Sequence, residues 1–170
     1  MTEQDLMKMS SLEVQHKVEQ FLYKQASALD DRNWETWLSL FTDNGKYWMP
    51  ASEDQKIAEG VPNIFYEDKY LMDMRIRRVV HPYAHSQKPG HRTSHVVSNI
   101  NITEINESTG IIKCESRFHM VEYRLENQRY FGGKYSHTLK IQNNEYLIDL
   151  QRVDLANVEG PFDYVMQVWL

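Results

Sequence analysis

Val14, Val18, Phe21, Leu22 and Leu29 recur at helical spacing early in the chain, opposite a face of Gln15, Lys17, Glu19 and Lys24. Such spacing gathers apolar side chains into one stripe and predicts an amphipathic helix. Ser10 with Glu13 three residues on is a capping-box pattern, in which side chain and backbone satisfy each other's free groups and start the helix. The helix is expected to end near Asp30–Asp31. Asn33 suits the N-cap of a short second helix that sets Trp34, Trp37, Leu38 and Phe41 on one face. Thr42-Asp43-Asn44-Gly45 has turn chemistry, and Lys46 to Met49 predicts a strand closed by Pro50. Ala51 to Asn63 has no period and predicts a loop. Tyr66 to Val80 predicts a third helix, and His81 to Gly90 a second loop.

From Arg92 onward the period changes to two. Ile112, Cys114, Ser116, Phe118 and Met120 alternate with polar neighbours, as do Tyr135, His137, Leu139 and Ile141; each run predicts a half-buried strand. Tyr146, Ile148 and Leu150 continue one face, and the apolar phase then slips to Val153 and Leu155. A bulge near Gln151–Arg152 accounts for that slip. Gly132-Gly133 suggests a bend, and Asn143-Asn144 a hairpin turn. Helices followed by consecutive long strands predict an α+β fold, a curved antiparallel sheet wrapped around about three N-terminal helices. The 170 residues carry no internal repeat and predict one domain, with residues 1–10 expected to be flexible.

Composition narrows the function. The net charge of −5 argues against a nucleic-acid-binding surface. One cysteine, Cys114, cannot form an internal disulfide, and no run approaches the ~20 apolar residues of a membrane span. A cytoplasmic protein is the expectation. Aromatic residues reach 12%, with four Trp and ten Tyr, which suits either a roomy core or an assembly interface.

His81, His85, His91 and His95 form the densest set of possible metal ligands, because two histidines four apart on a helix can share a metal. Pro82, Pro89 and Gly90 interrupt any such helix, and ordinary hydrogen bonding is the better expectation. Arg75, Arg77, Arg78 and Arg92, with Lys69 and Lys88, concentrate positive charge between Glu67 and Arg92, where six basic residues face three acidic ones. They form either a solvated surface or an electrostatic contact for a partner subunit. Cys114 alternates with apolar neighbours and reads as an inert buried thiol. The apolar tail Phe162 to Leu170 must pack on its own sheet or on a partner.

The ordered set Phe21-Leu22-Tyr23, Leu29-Asp30-Asp31-Arg32-Asn33-Trp34, Trp37-Leu38 and Tyr47-Trp48-Met49-Pro50 resembles one family. So do Asp68, Leu71, Arg75-Ile76 and Arg78, and the strand Arg92-Thr93 with His95-Val96-Val97-Ser98-Asn99-Ile100. The overall order is similar to the nuclear transport factor 2-like (NTF2-like) cone shared with scytalone dehydratase and ketosteroid isomerase. Within that set the chain resembles the small (beta) subunit of aromatic-ring-hydroxylating dioxygenases of the benzoate type, from about Glu13 to Leu170.

That resemblance implies a non-catalytic structural subunit with no catalytic, cofactor-binding or metal-binding residue of its own, and a final strand in the tail. It implies a partner alpha subunit carrying a Rieske 2Fe-2S cluster and a mononuclear iron, commonly as an α3β3 hexamer, with a homotrimer of this chain as a further possibility. Ferredoxin or reductase components would deliver electrons from NAD(P)H, and the substrate would be an aromatic acid. The alternative the resemblance leaves open is a free-standing dehydratase or isomerase. In those relatives the open end of the cone holds acid–base groups, and Tyr23, Asp31 and His137 are the candidates here. A ligand-binding or scaffold domain is a third possibility.

Overall fold

The computed structural model describes residues 10–85, 88–162 and 165–170. The expected flexibility of residues 1–9 lies outside the described residues. Helix α1 spans Ser11–Asp30, with the Ser10–Glu13 capping box closed in both directions. Its stripe of Val14, Val18, Phe21, Leu22 and Leu29 is buried, joined by Gln25 and Ala28. Helix α2, Trp34–Ser39, is capped by Asn33, whose side chain accepts from the Thr36 N–H at 3.2 Å. Trp37 is fully buried.

Strand β1 runs over Phe41–Pro50, so Thr42 to Gly45 do not form a separate turn and Phe41 belongs to the sheet. The turn-forming residues bulge out of the strand instead. Phe41 lies opposite Ile148 and Lys46 opposite Leu150, leaving extra β1 residues unpaired. Gly45 is required there, because a Cβ would lie 2.7 Å from the Ile148 carbonyl oxygen. Strand β2, Asn63–Asp68, occupies residues expected to be the end of a loop and the start of a helix. Helix α3 is accordingly shorter, Lys69–Val80, with Asp68 as its N-cap accepting from the Leu71 N–H at 2.9 Å.

Four long strands complete the sheet: β3 (Arg92–Asn106), β4 (Ile111–Arg124), β5 (Asn127–Gln142) and β6 (Glu145–Leu155). The order is β2-β1-β6-β5-β4-β3. All pairs are antiparallel except β1 with β6, which are parallel. The β6 bulge sits at Asp149, because Leu139 pairs with Ile148 and Thr138 with Leu150. It therefore precedes the expected Gln151–Arg152 position, and Gln151 rather than Leu150 turns inward. Gly132-Gly133 produces no break in pairing with β4. Gly133 is there for close approach, since a Cβ would lie 2.1 Å from the Asp154 carbonyl oxygen. Asn143 and Asn144, with φ of 50° and 65°, make the β5–β6 hairpin turn as expected.

The tail packs on its own chain, but residues 165–170 form no strand. Asp163 and Tyr164 lie outside the described residues. Trp169 and Leu170 instead plug the space between α2, β1 and β2. Trp169 stacks against Trp37 at 4.4 Å, and its indole N–H donates to Glu67 Oε2 at 3.0 Å. The Tyr47 hydroxyl donates to the Leu170 oxygen and accepts from its N–H, both at 3.0 Å.

Candidate functional site

The interior between α1 and the sheet is where a cone of this kind could hold an acid–base pocket. Among the described residues it is packed with side chains. Phe118 and Tyr135 stack at 4.2 Å with their planes 5° apart. Gln25 of α1 bridges His137 of β5 and Gln151 of β6: its oxygen faces His137 Nε2 at 3.2 Å and its amide donates to Gln151. The void left among Leu22, Gln25, Ala26, Tyr135 and Gln151 is about 10 Å³, at the lower limit for one water molecule. Tyr23 and Asp31 are both exposed, so the set Tyr23, Asp31 and His137 is not brought together. Their periodicity explains the difference: Tyr23 falls one residue past the buried Leu22, and Asp31 lies just beyond the last turn of α1.

Burial pushes His137 down from 6.5 to about 3, so it is neutral at physiological pH. The unfolded chain takes up a proton near pH 6.5 while the folded chain resists it down to about pH 3, so this residue's contribution to stability falls as pH drops through that window. At pH ~5 the expected loss is about 2 kcal/mol. Urea unfolding between about pH 7 and pH 4 checks this: His137→Gln should flatten the pH dependence, and an unchanged slope would refute it.

The open end of the cone carries two histidine–carboxylate pairs. Asp30, at the C-terminal end of α1, accepts from the Thr93 hydroxyl at 2.8 Å, from the His95 backbone N–H at 2.8 Å and from His95 Nδ1 at 2.5 Å. Burial opposes its charge, but the bonds from His95 and Thr93 outweigh burial and hold the carboxyl below its ordinary range. His91 Nδ1 meets Glu122, which is wholly buried and lies 3.9 Å from Arg129 Nη1. The register makes this cluster: Thr93 lies across from Glu122 and His95 across from Met120, all facing inward. The four histidines thus separate. His91 and His95 hold carboxylates inside, His81 and His85 stay exposed on the loop, and no group of three His, Cys, Asp or Glu gathers in metal-binding geometry among the described residues. Nothing in the linear pattern marks Glu67, Asp30 or Glu122 as a partner, and Asp30 is indistinguishable there from its neighbour Asp31.

The four arginines play different parts. Arg75 turns inward, donating from Nε to Glu67 at 2.8 Å, with its guanidinium 4.5 Å from the Phe65 ring. Arg77 pairs with Asp73 at 2.7 Å on the exposed face of α3, and Arg78 is exposed beside it. Arg92 stacks over Tyr123 at 4.6 Å. Tyr70 and Met74 lie exposed on the same helix, at 70% and 45%. Only Met72 of α3 is buried, so this helix presents a mixed basic and apolar surface outward.

Six strands curled over helices, with the tail packed between α2, β1 and β2, define the class as an α+β cone. The sequence profile of the ring-hydroxylating beta subunit family matches residues 24–159. The chain is 31% identical to the toluate 1,2-dioxygenase subunit beta of Pseudomonas putida, over 89% of this chain and 92% of that one. Among solved structures, the beta subunit of benzoate 1,2-dioxygenase from Burkholderia mallei matches with a TM-score of 0.71 at 21% identity, covering 88% of this chain and 95% of that one. A chain of naphthalene 1,2-dioxygenase with indole bound matches with a TM-score of 0.78 at 15% identity, covering 96% and 89%. The chain therefore belongs to the ring-hydroxylating dioxygenase beta subunit family.

Ligand arithmetic agrees with that membership. A Rieske cluster takes two Cys and two His ligands, and the one cysteine present is buried with its thiol pushed up to about 12 by that burial. These residues do not fit the cluster. No helix among the described residues is long and apolar enough to cross a membrane.

Proposed function

We propose that this chain is the non-catalytic brace of an aromatic-acid dioxygenase in the cytoplasm, assembled with an alpha subunit as an α3β3 hexamer. The alpha subunit would hold the Rieske cluster and the mononuclear iron. Reductase components, with or without a ferredoxin, would pass electrons to it from NAD(P)H, and both atoms of O2 would enter the ring. The aromatic-acid class is suggested by the toluate and benzoate relatives. The observation that carries the non-catalytic role is the packed interior beneath α1, where the His137 ring is bonded to Gln25 and neutral beside a void of only about 10 Å³. A chain-only catalyst would need a mobile acid–base group beside an open space.

The surface offered to the alpha subunit is the outer face of α3, with Arg77 and Arg78 as charge contacts and Tyr70 and Met74 as apolar ones. Arg75 supports that surface from within through Glu67, while Arg92 stands on β3 over Tyr123. Co-expression with a dioxygenase alpha subunit is expected to give a stable complex with oxygenase activity, and this chain alone none. Arg77→Glu with Arg78→Glu should weaken assembly by about tenfold or more, as read by sedimentation. Unchanged assembly would remove the α3 contact. Turnover of a small ketone or alcohol by the purified chain would overturn the structural role itself.

A further inference from the structure

Beside the filled interior lies a separate cleft of about 150 Å³ between the ends of α1 and α3, helix α2, the start of β3 and the tail. Leu29, Trp34, Val80 and Trp169 form its apolar walls, with Arg32 and His91 as polar groups. We propose that this cleft binds a monocyclic aromatic carboxylate. The volume matches a single ring, since an apolar cavity near this size accommodates benzene. The half-buried Trp34 ring, backed by Trp169 at 5.7 Å and 58°, supplies the aromatic surface for a guest ring.

Charge selects the acid. The carboxylates nearest the cleft are already engaged: Asp30 by Thr93 and His95, and Glu122 by His91 and Arg129. Arg32 is not engaged, since it pairs with no carboxylate among the described residues. A planar guanidinium with free N–H groups beside an aromatic slot is the complement of an aryl carboxylate. Arg32 also adopts φ of 56°, a left-handed conformation uncommon for a non-glycine residue. The conformation brings Arg32 to Gly90, where an added Cβ would lie 2.9 Å from Nη1. His91 closes the inner wall of the cleft, its Nδ1 held by Glu122, which leaves Arg32 as the group that receives the carboxylate.

The site belongs to this chain alone, so its test does not depend on the alpha subunit. The full-length chain is titrated with benzoate while tryptophan fluorescence and amide NMR shifts are followed. Saturable binding is expected, with shifts centred on Trp34, Trp169 and Gly90. Arg32→Gln, at an exposed position, should weaken it by about tenfold or more, the loss of one charge-assisted pair. Val80→Trp should block it by filling the cleft. Circular dichroism confirms that each variant is folded. No saturation up to ~10 mM benzoate would overturn the proposal. So would equal affinity in Arg32→Gln, or toluene binding as tightly as benzoate, since either would remove the selection for a carboxylate.

Discussion

Removal of Val168, Trp169 and Leu170 is expected to leave the chain largely unfolded. Trp169 and Leu170 are 1% and 0% exposed and fill the space under Trp37 and beside Tyr47. Truncating a buried Trp costs ~3–5 kcal/mol and a buried Leu ~2–5 kcal/mol. The sum is comparable to the whole stability of a domain, ~5–15 kcal/mol. The loss extends beyond volume. Tyr47 would keep a hydroxyl in a wholly buried site, where burial already drives its ionisation far above the ordinary range, with neither of its Leu170 partners. Glu67 would lose the indole N–H and retain Arg75. Urea unfolding followed by circular dichroism measures the effect. A truncated chain within about 1 kcal/mol of the full one would show that the tail merely covers a core complete without it.

Glu122→Ala is expected to cost ~3–5 kcal/mol, because it leaves His91 and Arg129 facing a buried space without their carboxylate. Glu122 is 0% exposed, so water cannot take over its role without opening the mouth of the cone. The double substitution Glu122→Met with His91→Leu should recover part of that loss, since removing both partners leaves less polarity stranded than removing one. Urea midpoints of Glu122→Met, His91→Leu and the double substitution form a double-mutant cycle. A single substitution costing under about 1 kcal/mol, or a double equal to the sum of the singles, would refute a coupled pair.

Both expectations rest on residues whose importance the linear pattern does not announce. Glu122 falls on the inward phase of β4, where alternation alone would call for an apolar residue, and its partner lies 31 positions away. Glu67 sits in a strand read from sequence as helix. Its three β-forming neighbours Ile64, Phe65 and Tyr66 were a strand signal masked by the helical run that follows. The β6 slip was legible as an event, because a change of apolar phase has one local cause, but its position was not. Leu150 is apolar whichever way it points, whereas Gln151 turns inward to meet Gln25.

Local physics was enough for the elements whose signals are short in range. The Ser10–Glu13 cap, the α1 stripe, the Asn33 cap, the alternating strands and the Asn143–Asn144 turn each depend on residues within a few positions of one another, and all follow from sequence. So does family membership, carried by the ordered set of motifs. The parallel pairing of β1 with β6, the plug formed by the tail, the choice of Asp30 over Asp31 as the partner of His95, and the inward turn of Arg75 depend on contacts between distant segments. No periodicity records those contacts, because they exist only once the sheet has curved and brought the ends of the chain together.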